Sequence, residues 1–179
     1  FINLLIGLIL LLYFMKILLL GKNGQVGCEL NKLLKRFGTL IALGREQLDF
    51  SNLNSIEPLI LDICPDVIIN AAAYTAVDKA EKEPELVMTI NAVAPGILAQ
   101  AAKLVGAGLI HYSSDYVFDG HSDTAYIEES PTCPINVYGK SKLAGEKAIM
   151  ELHIPYLIFR TSWVYSLYGK SFLQTIKKM

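Results

Sequence analysis

Residues 16–27, KILLLGKNGQVG, join a short apolar run to three spaced glycines and then to a segment with helical periodicity. Glycine has no Cβ, so its backbone can turn tightly and approach a ligand closely. The helix that follows supplies unpaired N–H groups and the positive end of its dipole, which favour a pyrophosphate. A strand, a glycine-rich turn and a helix in this order predict a dinucleotide-binding unit. The spacing is G-x-x-G-x-x-G rather than G-x-G-x-x-G, so an ordinary glycine turn remains the alternative for this motif alone.

Outward from this stretch, short apolar runs alternate with helical patterns along the chain. The predicted strands are residues 16–20, 39–43, 67–70, 109–113 and 156–160. The predicted helices are residues 25–36, 51–62 with Ser51 as its cap, a long one from near Pro84 to Leu104, and 137–152. Strands that are apolar on both faces and are each followed by a helix require parallel pairing with right-handed crossovers. The predicted fold class is therefore α/β, a doubly wound parallel sheet of the Rossmann type.

Two of the helices carry apolar residues that predict a buried face. In the first helix they are Val26, Leu30, Leu33 and Leu34. In the long helix they are Val87, Ile90, Val93, Ile97, Leu98, Ala101 and Leu104.

The bulk composition restricts the class of protein. At 179 residues, one domain with a sizeable core is the natural expectation. A formal net charge of −1 and the lack of a basic run argue against a nucleic-acid partner. The three cysteines have no metal-ligand spacing and predict reduced thiols. The three histidines are scattered, so no metal site is expected.

The first fourteen residues, FINLLIGLILLLYF, form an uncharged apolar run. The run is short for a bilayer-spanning helix, which needs about 20 residues, and no signal-peptide pattern is visible. We expect Met15 to be the true start, residues 1–14 to be a non-native extension, and residues 15–179 to be a cytoplasmic NAD(P)-binding domain. Membrane anchoring through residues 1–14 remains the alternative.

The residues after the second predicted strand bear on the choice of cofactor. An acidic residue at this place holds the ribose 2′-hydroxyl of NAD, whereas an arginine accommodates the 2′-phosphate of NADP. The pair Gly44-Arg45 favours NADPH, although the adjacent Glu46 keeps NADH open. Arg45 can equally be a solvated loop charge. Asp49 is a candidate acceptor for the adenine amino group.

The third and fourth predicted strands also end in candidate site residues. Small residues after the third strand, Ala71 to Ala73, leave room for a cofactor to lie against the sheet. Ser114 ends the fourth strand, and the helix that follows carries Tyr138 and Lys142 at i, i+4, on one face. A neighbouring ammonium stabilises a phenolate and lowers the tyrosine pKa towards the working pH, where acid–base catalysis is efficient. A helical Tyr–Lys pair is more often a surface feature. This pair indicates a catalytic site because it follows the fourth strand and its serine in a chain whose first predicted strand leads into a dinucleotide loop.

Five stretches together resemble the extended short-chain dehydrogenase/reductase superfamily, and within it the dTDP-4-dehydrorhamnose reductase family. They are GKNGQVGCEL, DVIINAAAYTAVDKAE, HYSSDYVFDG, NVYGKSKLAGEK and FRTSWVY. The resemblance implies that Ser114, Tyr138 and Lys142 are catalytic, Ser114 standing where the family usually has threonine. The cofactor contacts that it implies are Gly24, Gln25, Val26, Asp49, Phe50, Ala73, Tyr74, Thr75, Tyr112, Tyr138 and Lys142. The glycine motif adds Gly21 and Gly27 as candidate contacts, and the end of the second predicted strand adds Arg45. The implied contacts to the sugar nucleotide are Ser114, Asp115 and Trp163.

The resemblance implies that NADPH or NADH reduces the C4 ketone of a dTDP-sugar, dTDP-4-dehydro-L-rhamnose, to dTDP-L-rhamnose. Relatives often carry an aspartate where this chain has Gly44. They also continue past a helix that starts near Lys170, so we expect the substrate lobe to be largely missing and the chain to be a fragment. A homodimer of the full-length protein stays open. One alternative is a nucleotide-sugar epimerase or dehydratase, because dehydratases of the superfamily usually carry an acidic residue beside the serine or threonine, as Asp115 is here. The other is a non-catalytic regulatory subunit of methionine adenosyltransferase.

Overall fold

In this computed structural model, the structure describes residues 15–166 and Ile176. The predictions about residues 1–14 and about a helix near Lys170 lie outside the described residues. Five strands form one parallel sheet in the order β2-β1-β3-β4-β5. The strands are β1 Lys16–Leu20, β2 Thr39–Leu43, β3 Val67–Asn70, β4 Gly108–Ser114 and β5 Tyr156–Thr161. The predicted α/β doubly wound fold is confirmed.

The helices follow the strands as the alternation predicts. They are α1 Gln25–Leu33, α2 Ile56–Ile63, the short α3 Val77–Ala80, α4 Pro84–Val105 and α5 Val137–Met150. A 3₁₀ turn, Leu34–Arg36, continues α1, and another, Asp115–Val117, follows β4. Within α4, residues Thr89–Val93 form a π-helical segment.

Both faces of β1 and β3, in the middle of the sheet, are largely buried, which explains their continuous apolar runs. Leu18 and Leu20 of β1 pack in one cluster with residues of α2, α4 and α5. Ile17 and Leu19, which point the opposite way, pack in a second cluster with Leu30 of α1. Alternate residues of β1 therefore serve two cores, so the strand is apolar on both faces.

The chain leaves β1 and β3 in opposite directions, which creates a crevice between their ends. From β1 it passes through α1 to β2, and from β3 it passes through α4 to β4 on the other side. The Gly21 and Lys22 N–H groups both donate to the carbonyl oxygen of Leu43, at 2.9 and 3.1 Å. The turn after β1 is thereby fixed to the end of β2. Ligands of open α/β sheets bind at such a switch point.

The predicted start of α2 at Ser51 is wrong. The helix begins at Ile56 after a 3₁₀ turn, Leu53–Ser55. The Ser51 hydroxyl and N–H both donate to Asp49 Oδ1, at 2.8 and 2.9 Å. Because its hydroxyl is engaged in this turn, Ser51 does not cap the helix.

The predicted buried stripe of α4 is partly wrong, and one residue of the α1 stripe is also exposed. Val93 and Leu104 of α4 are 45% and 62% exposed, and Leu33 of α1 is 49% exposed. The buried line of α4 instead passes through Asn91 and several alanines. A search for large apolar residues misses these positions because close helix packing selects small ones. By length and composition α4 could span a membrane, but half of its apolar window is buried against the sheet and its neighbouring helices.

Candidate active site

A cavity of about 420 Å³ lies at the carboxyl ends of β1, β2 and β3. Its walls are the glycine loop, the segment after β2 and the segment after β3. The predicted cofactor residues that line it are Gly21, Gly24, Arg45, Asp49, Phe50, Ala73, Tyr74 and Thr75. Gln25, Val26 and Gly27 form the first turn of α1, directly behind the loop. The structure thus gathers eight of the predicted cofactor residues from three separate stretches of chain around one cavity, whereas Tyr112, Tyr138 and Lys142 are not among the residues that line it.

Two of the loop glycines are required by close backbone contacts. Gly21 has a φ of +81°, and a Cβ there would lie 2.6 Å from the Ala72 nitrogen. A Cβ on Gly27 would lie 2.0 Å from the Gly21 carbonyl oxygen. Gly24 precedes α1, and no side chain caps its first N–H groups. The positive end of the α1 dipole thus points to the cavity side of the loop, where it favours an anion.

The charged residues after β2 are paired with one another. Arg45 lies 3.0 Å from Asp49, and Lys22 of the glycine loop lies 3.3 Å from Glu46. Hydrogen bonds from the Ser51 backbone and hydroxyl, and then from Arg45, hold the pKa of Asp49 below its usual value. Both oxygens of Asp49 are thus engaged by protein donors.

Ser114 and Tyr138 come together at the end of β4. Ser114 Oγ accepts the Tyr116 N–H at 3.2 Å and donates to Asp115 Oδ1 at 3.0 Å. Asn136 caps α5 by accepting the Gly139 N–H at 2.7 Å, which places Tyr138 in the first turn of the helix. Burial raises the pKa of Tyr138, and hydrogen bonding with Ser114 opposes the rise. The phenol is therefore protonated at neutral pH.

Lys142 is buried behind this pair, at 1% exposure. Its Nζ donates to the Tyr112 carbonyl oxygen at 2.6 Å and lies 3.3 Å from His111 Nε2. Burial lowers the pKa of Lys142 to about 8, and Glu146 opposes that shift. The expectation that Lys142 lowers the pKa of Tyr138 is wrong for this structure. The lysine head is directed at β4, and burial dominates the phenol.

His111 is held in one neutral form by its neighbours. The Ala72 N–H donates to Asn70 Oδ1 at 3.1 Å, which turns the Asn70 amide nitrogen towards His111 Nδ1, also at 3.1 Å. Nδ1 is then an acceptor, so the ring proton lies on Nε2, facing Lys142. Burial, and then Lys142, keep the pKa of His111 well below its usual value.

Sequence reasoning missed Asn91, which ties the crevice to α5. Its Oδ1 accepts the Tyr74 N–H at 2.9 Å, and its Nδ2 donates to the Tyr74 carbonyl oxygen and to Ser141 Oγ, both at 3.0 Å. Ser141 Oγ in turn donates to the Tyr138 carbonyl oxygen at 2.6 Å. A polar residue inside the apolar stripe of α4 was the available signal.

Glu146 was also missed, and it anchors α5 to β4 and β5. The carboxylate is 1% exposed, accepts a short hydrogen bond from Ser113 Oγ and pairs with Arg160 at 2.7 Å. The sequence signal was a charge on the same helical face as Lys142, four residues further on.

Two predicted residues lie apart from this arrangement. The Tyr112 side chain points to the other face of the sheet, where its ring lies 5.6 Å from that of Phe159. Only its carbonyl oxygen reaches Lys142. Trp163 follows β5 and is 73% exposed. Within the described part of the chain, no group of three metal-binding side chains comes together.

Comparison with known proteins places these features in one family. The sequence profile of the RmlD substrate binding domain matches residues 15–179. The dTDP-4-dehydrorhamnose reductase of Escherichia coli K12 is 50% identical over 169 residues, covering 92% of this chain and 56% of its own length. The enzyme of the same name from Burkholderia thailandensis is 47% identical over 165 residues, covering 92% of this chain and 55% of its own.

The same similarity appears among solved structures. The crystal structure of dTDP-4-dehydrorhamnose reductase from Bacillus anthracis, in complex with NADP, superposes with a TM-score of 0.89 at 40% identity. The match covers 92% of this chain and 59% of that structure. This chain thus spans little more than half the length of the relatives it matches.

Proposed function

The chain belongs to the RmlD substrate binding domain family, and from that premise we propose that it binds NADPH or NADH in the crevice and reduces a dTDP-sugar. The proposed reaction converts dTDP-4-dehydro-L-rhamnose to dTDP-L-rhamnose. The observation that carries the proposal is the meeting of Ser114 and Tyr138 at the end of β4, beside a crevice built for a dinucleotide. Two relatives named dTDP-4-dehydrorhamnose reductase are 50% and 47% identical to the chain.

The residues present fit a dinucleotide. The cavity is lined by Gly21, Gly24 and the small side chains of residues 71–73, so backbone and cofactor can approach closely. The N-terminal end of α1, with the positive end of the helix dipole, suits the pyrophosphate. Arg45, Asp49 and Phe50 line the cavity on the β2 side. When bound, the cofactor supplies the hydride.

Tyr138 supplies the proton that balances the hydride. Reduction of a ketone adds hydride to the carbon and a proton to the oxygen. The raised pKa of Tyr138 keeps its phenol protonated at neutral pH, as a proton donor must be. Ser114 lies beside that phenol, and its hydroxyl polarises the ketone by turning from Asp115 to donate to the ketone oxygen.

Lys142 is buried beneath the Ser114–Tyr138 pair, and its amine is held in place by hydrogen bonds. Its Nζ is fixed by the Tyr112 carbonyl oxygen and lies beside His111, so the amine has a defined position one helical turn from Tyr138. We assign it to the ribose that carries the nicotinamide. Its lowered pKa, about 8, lets it exchange protons near the working pH.

The test is Tyr138→Phe in the complete gene product that contains these residues. We expect turnover of dTDP-4-dehydro-L-rhamnose, followed as loss of NADPH absorbance, to fall by about a thousandfold, within the range of general acid catalysis. Cofactor affinity should stay within a few-fold, because the ring remains in place. Tyr156→Phe, which removes a hydroxyl from the exposed start of β5, is the matched control.

Turnover at the parent level by Tyr138→Phe would show that Tyr138 is not the proton donor.

The same assay separates a reductase from an epimerase. A reductase consumes one NADPH for each sugar converted, whereas an epimerase converts sugar with no net loss of absorbance.

A further inference from the structure

The carboxylate of Glu46 occupies the place of a side chain that Gly44 lacks. Gly44 follows β2 directly, and an ideal Cβ on it would lie 2.4 Å from Glu46 Oε2 and 2.6 Å from Oε1. Glu46 therefore folds back over the glycine. Its carboxylate lies where a residue at the end of β2 would begin its own side chain.

Two residues of the glycine loop hold this carboxylate in place. Lys22 Nζ lies 3.3 Å from Glu46 Oε1, and Asn23 Nδ2 donates to Oε2 at 3.2 Å. Gln47 supports the arrangement, since its Oε1 accepts the Gly44 N–H at 2.8 Å and a hydrogen bond from Lys22 at 3.1 Å. The carboxylate thus bridges the β1 loop and the end of β2, at the rim of the cavity.

This position is the one at which a dinucleotide-binding sheet distinguishes the two nicotinamide cofactors. A carboxylate there accepts the ribose 2′-hydroxyl and repels a 2′-phosphate. The chain carries glycine at the end of β2, which by itself favours the phosphate. The neighbouring Glu46 restores the negative charge.

The nearby cations offer no surplus charge for a 2′-phosphate. Among the described residues that line the cavity or contact Glu46, Arg45 is paired with Asp49 at 3.0 Å and Lys22 with Glu46. The remaining lining cation, Lys79, lies 2.8 Å from Glu83. Each positive charge at this end of the cavity is thus matched by a carboxylate.

We propose that Glu46, held over Gly44 by Lys22 and Asn23, selects the cofactor with a free ribose 2′-hydroxyl, so that the chain prefers NADH. The inference rests on the proposed function, since it concerns the same crevice. It reverses the preference for NADPH that the pair Gly44-Arg45 suggests in the sequence.

The test is equilibrium binding of NADH and of NADPH to the 179-residue chain by isothermal titration calorimetry. We expect NADH to bind the parent chain more tightly, and Glu46→Gln to shift the affinity ratio towards NADPH by about tenfold, because the amide removes the repulsion of a phosphate. Glu85→Gln, an equal change of charge at an exposed position of α4 outside the cavity, should leave the ratio unchanged.

Adenosine 5′-monophosphate and adenosine 2′,5′-bisphosphate repeat the test without the nicotinamide, and their affinity ratio should shift in the same direction. A parent chain that prefers NADPH, or a Glu46→Gln ratio equal to the parent ratio, would overturn the inference while leaving the dinucleotide site intact. If Arg45→Ala weakened the binding of NADPH but not that of NADH, Arg45 rather than Glu46 would be the residue that selects the cofactor. Failure to bind either dinucleotide would overturn the proposed function, and the inference with it.

Discussion

At the scale of single residues, Lys142 is buried at a cost in free energy, because its ammonium is taken out of water. It is among the largest of the fully buried side chains, and its burial lowers the pKa from 10.5 to about 8. Between these two values the unfolded chain binds the proton more tightly than the folded one does. The lysine therefore destabilises the fold most below pH 8, and the penalty is relieved as the pH rises towards 10.5.

This penalty gives a pH-dependent stability. Relative to Lys142→Met, which has no charge to bury, we expect the parent chain to gain about 2 kcal/mol of unfolding free energy between pH 7 and 9.5. Urea unfolding of both proteins at the two pH values measures the difference. A gap between the two proteins that does not change with pH would show that the lysine is not desolvated as the structure has it.

Asn91 illustrates how one buried polar residue can connect two parts of a site. It bonds both backbone groups of Tyr74 and the hydroxyl of Ser141. Removing its side chain leaves the buried Ser141 hydroxyl and the partly buried backbone groups of Tyr74 without this partner, at a cost of about 1–3 kcal/mol for each group that stays unsatisfied. We expect Asn91→Ala to lower the unfolding free energy by several kcal/mol and to weaken cofactor binding as Tyr74 moves. Calorimetry and urea unfolding measure both effects, with Asn54→Ala at an exposed turn as control.

At the scale of elements, α5 approaches α4 so closely that a methyl group does not fit between them. A Cβ on Gly145 would lie 2.2 Å from the Asn91 carbonyl oxygen, which is backbone and cannot rotate away. Glycine within a helix normally costs about 0.5–1 kcal/mol relative to alanine. At this helix crossing that preference is reversed.

The prediction is that Gly145→Ala destabilises the chain by about 1–3 kcal/mol, as overpacking does. Lys147→Ala, at an exposed position of the same helix, should change the unfolding free energy by less than about 0.5 kcal/mol. Urea unfolding of the two variants measures both values. A Gly145→Ala variant at least as stable as the parent would mean that the two helices do not pack at this distance.

At the scale of the whole molecule, the sheet ends at β5 within the described residues, and this strand is apolar. Leu157 is 48% exposed and Phe159 is 41% exposed. They line a second cavity of about 750 Å³ with Phe118, Tyr126 and Arg160. An exposed apolar edge strand is a template for pairing with another chain.

We therefore expect the 179-residue chain to self-associate, and Leu157→Lys to weaken the association by placing a charge on the edge. Leu104→Lys is the matched control, because Leu104 is also an exposed leucine but lies on α4 away from that edge. Sedimentation velocity over a range of protein concentrations measures both. Equal association of parent and Leu157→Lys would show that β5 is not the contact.

The elements follow from local pattern with few errors. The apolar runs predicted all five strands to within one or two residues at their ends. The error at Ser51 arose because Asp49, two residues away, competes for its hydroxyl. The errors at Val93 and Leu104 arose because the partners of α4 require small residues rather than large ones.

Apolar periodicity and glycine spacing along the chain were enough to specify the parallel sheet, the turn after β1 and the Tyr138–Lys142 pair, because each depends on residues close together in sequence. The electrostatic state of the site was not accessible in this way. The side-chain hydrogen-bond partners of His111 and Asn91 come from 17 to 50 residues away, and burial, which sets the pKa of Tyr138 and Lys142, is a property of the packed chain. The position of the Glu46 carboxylate over Gly44 likewise depends on Lys22 and Asn23, which only folding brings beside it.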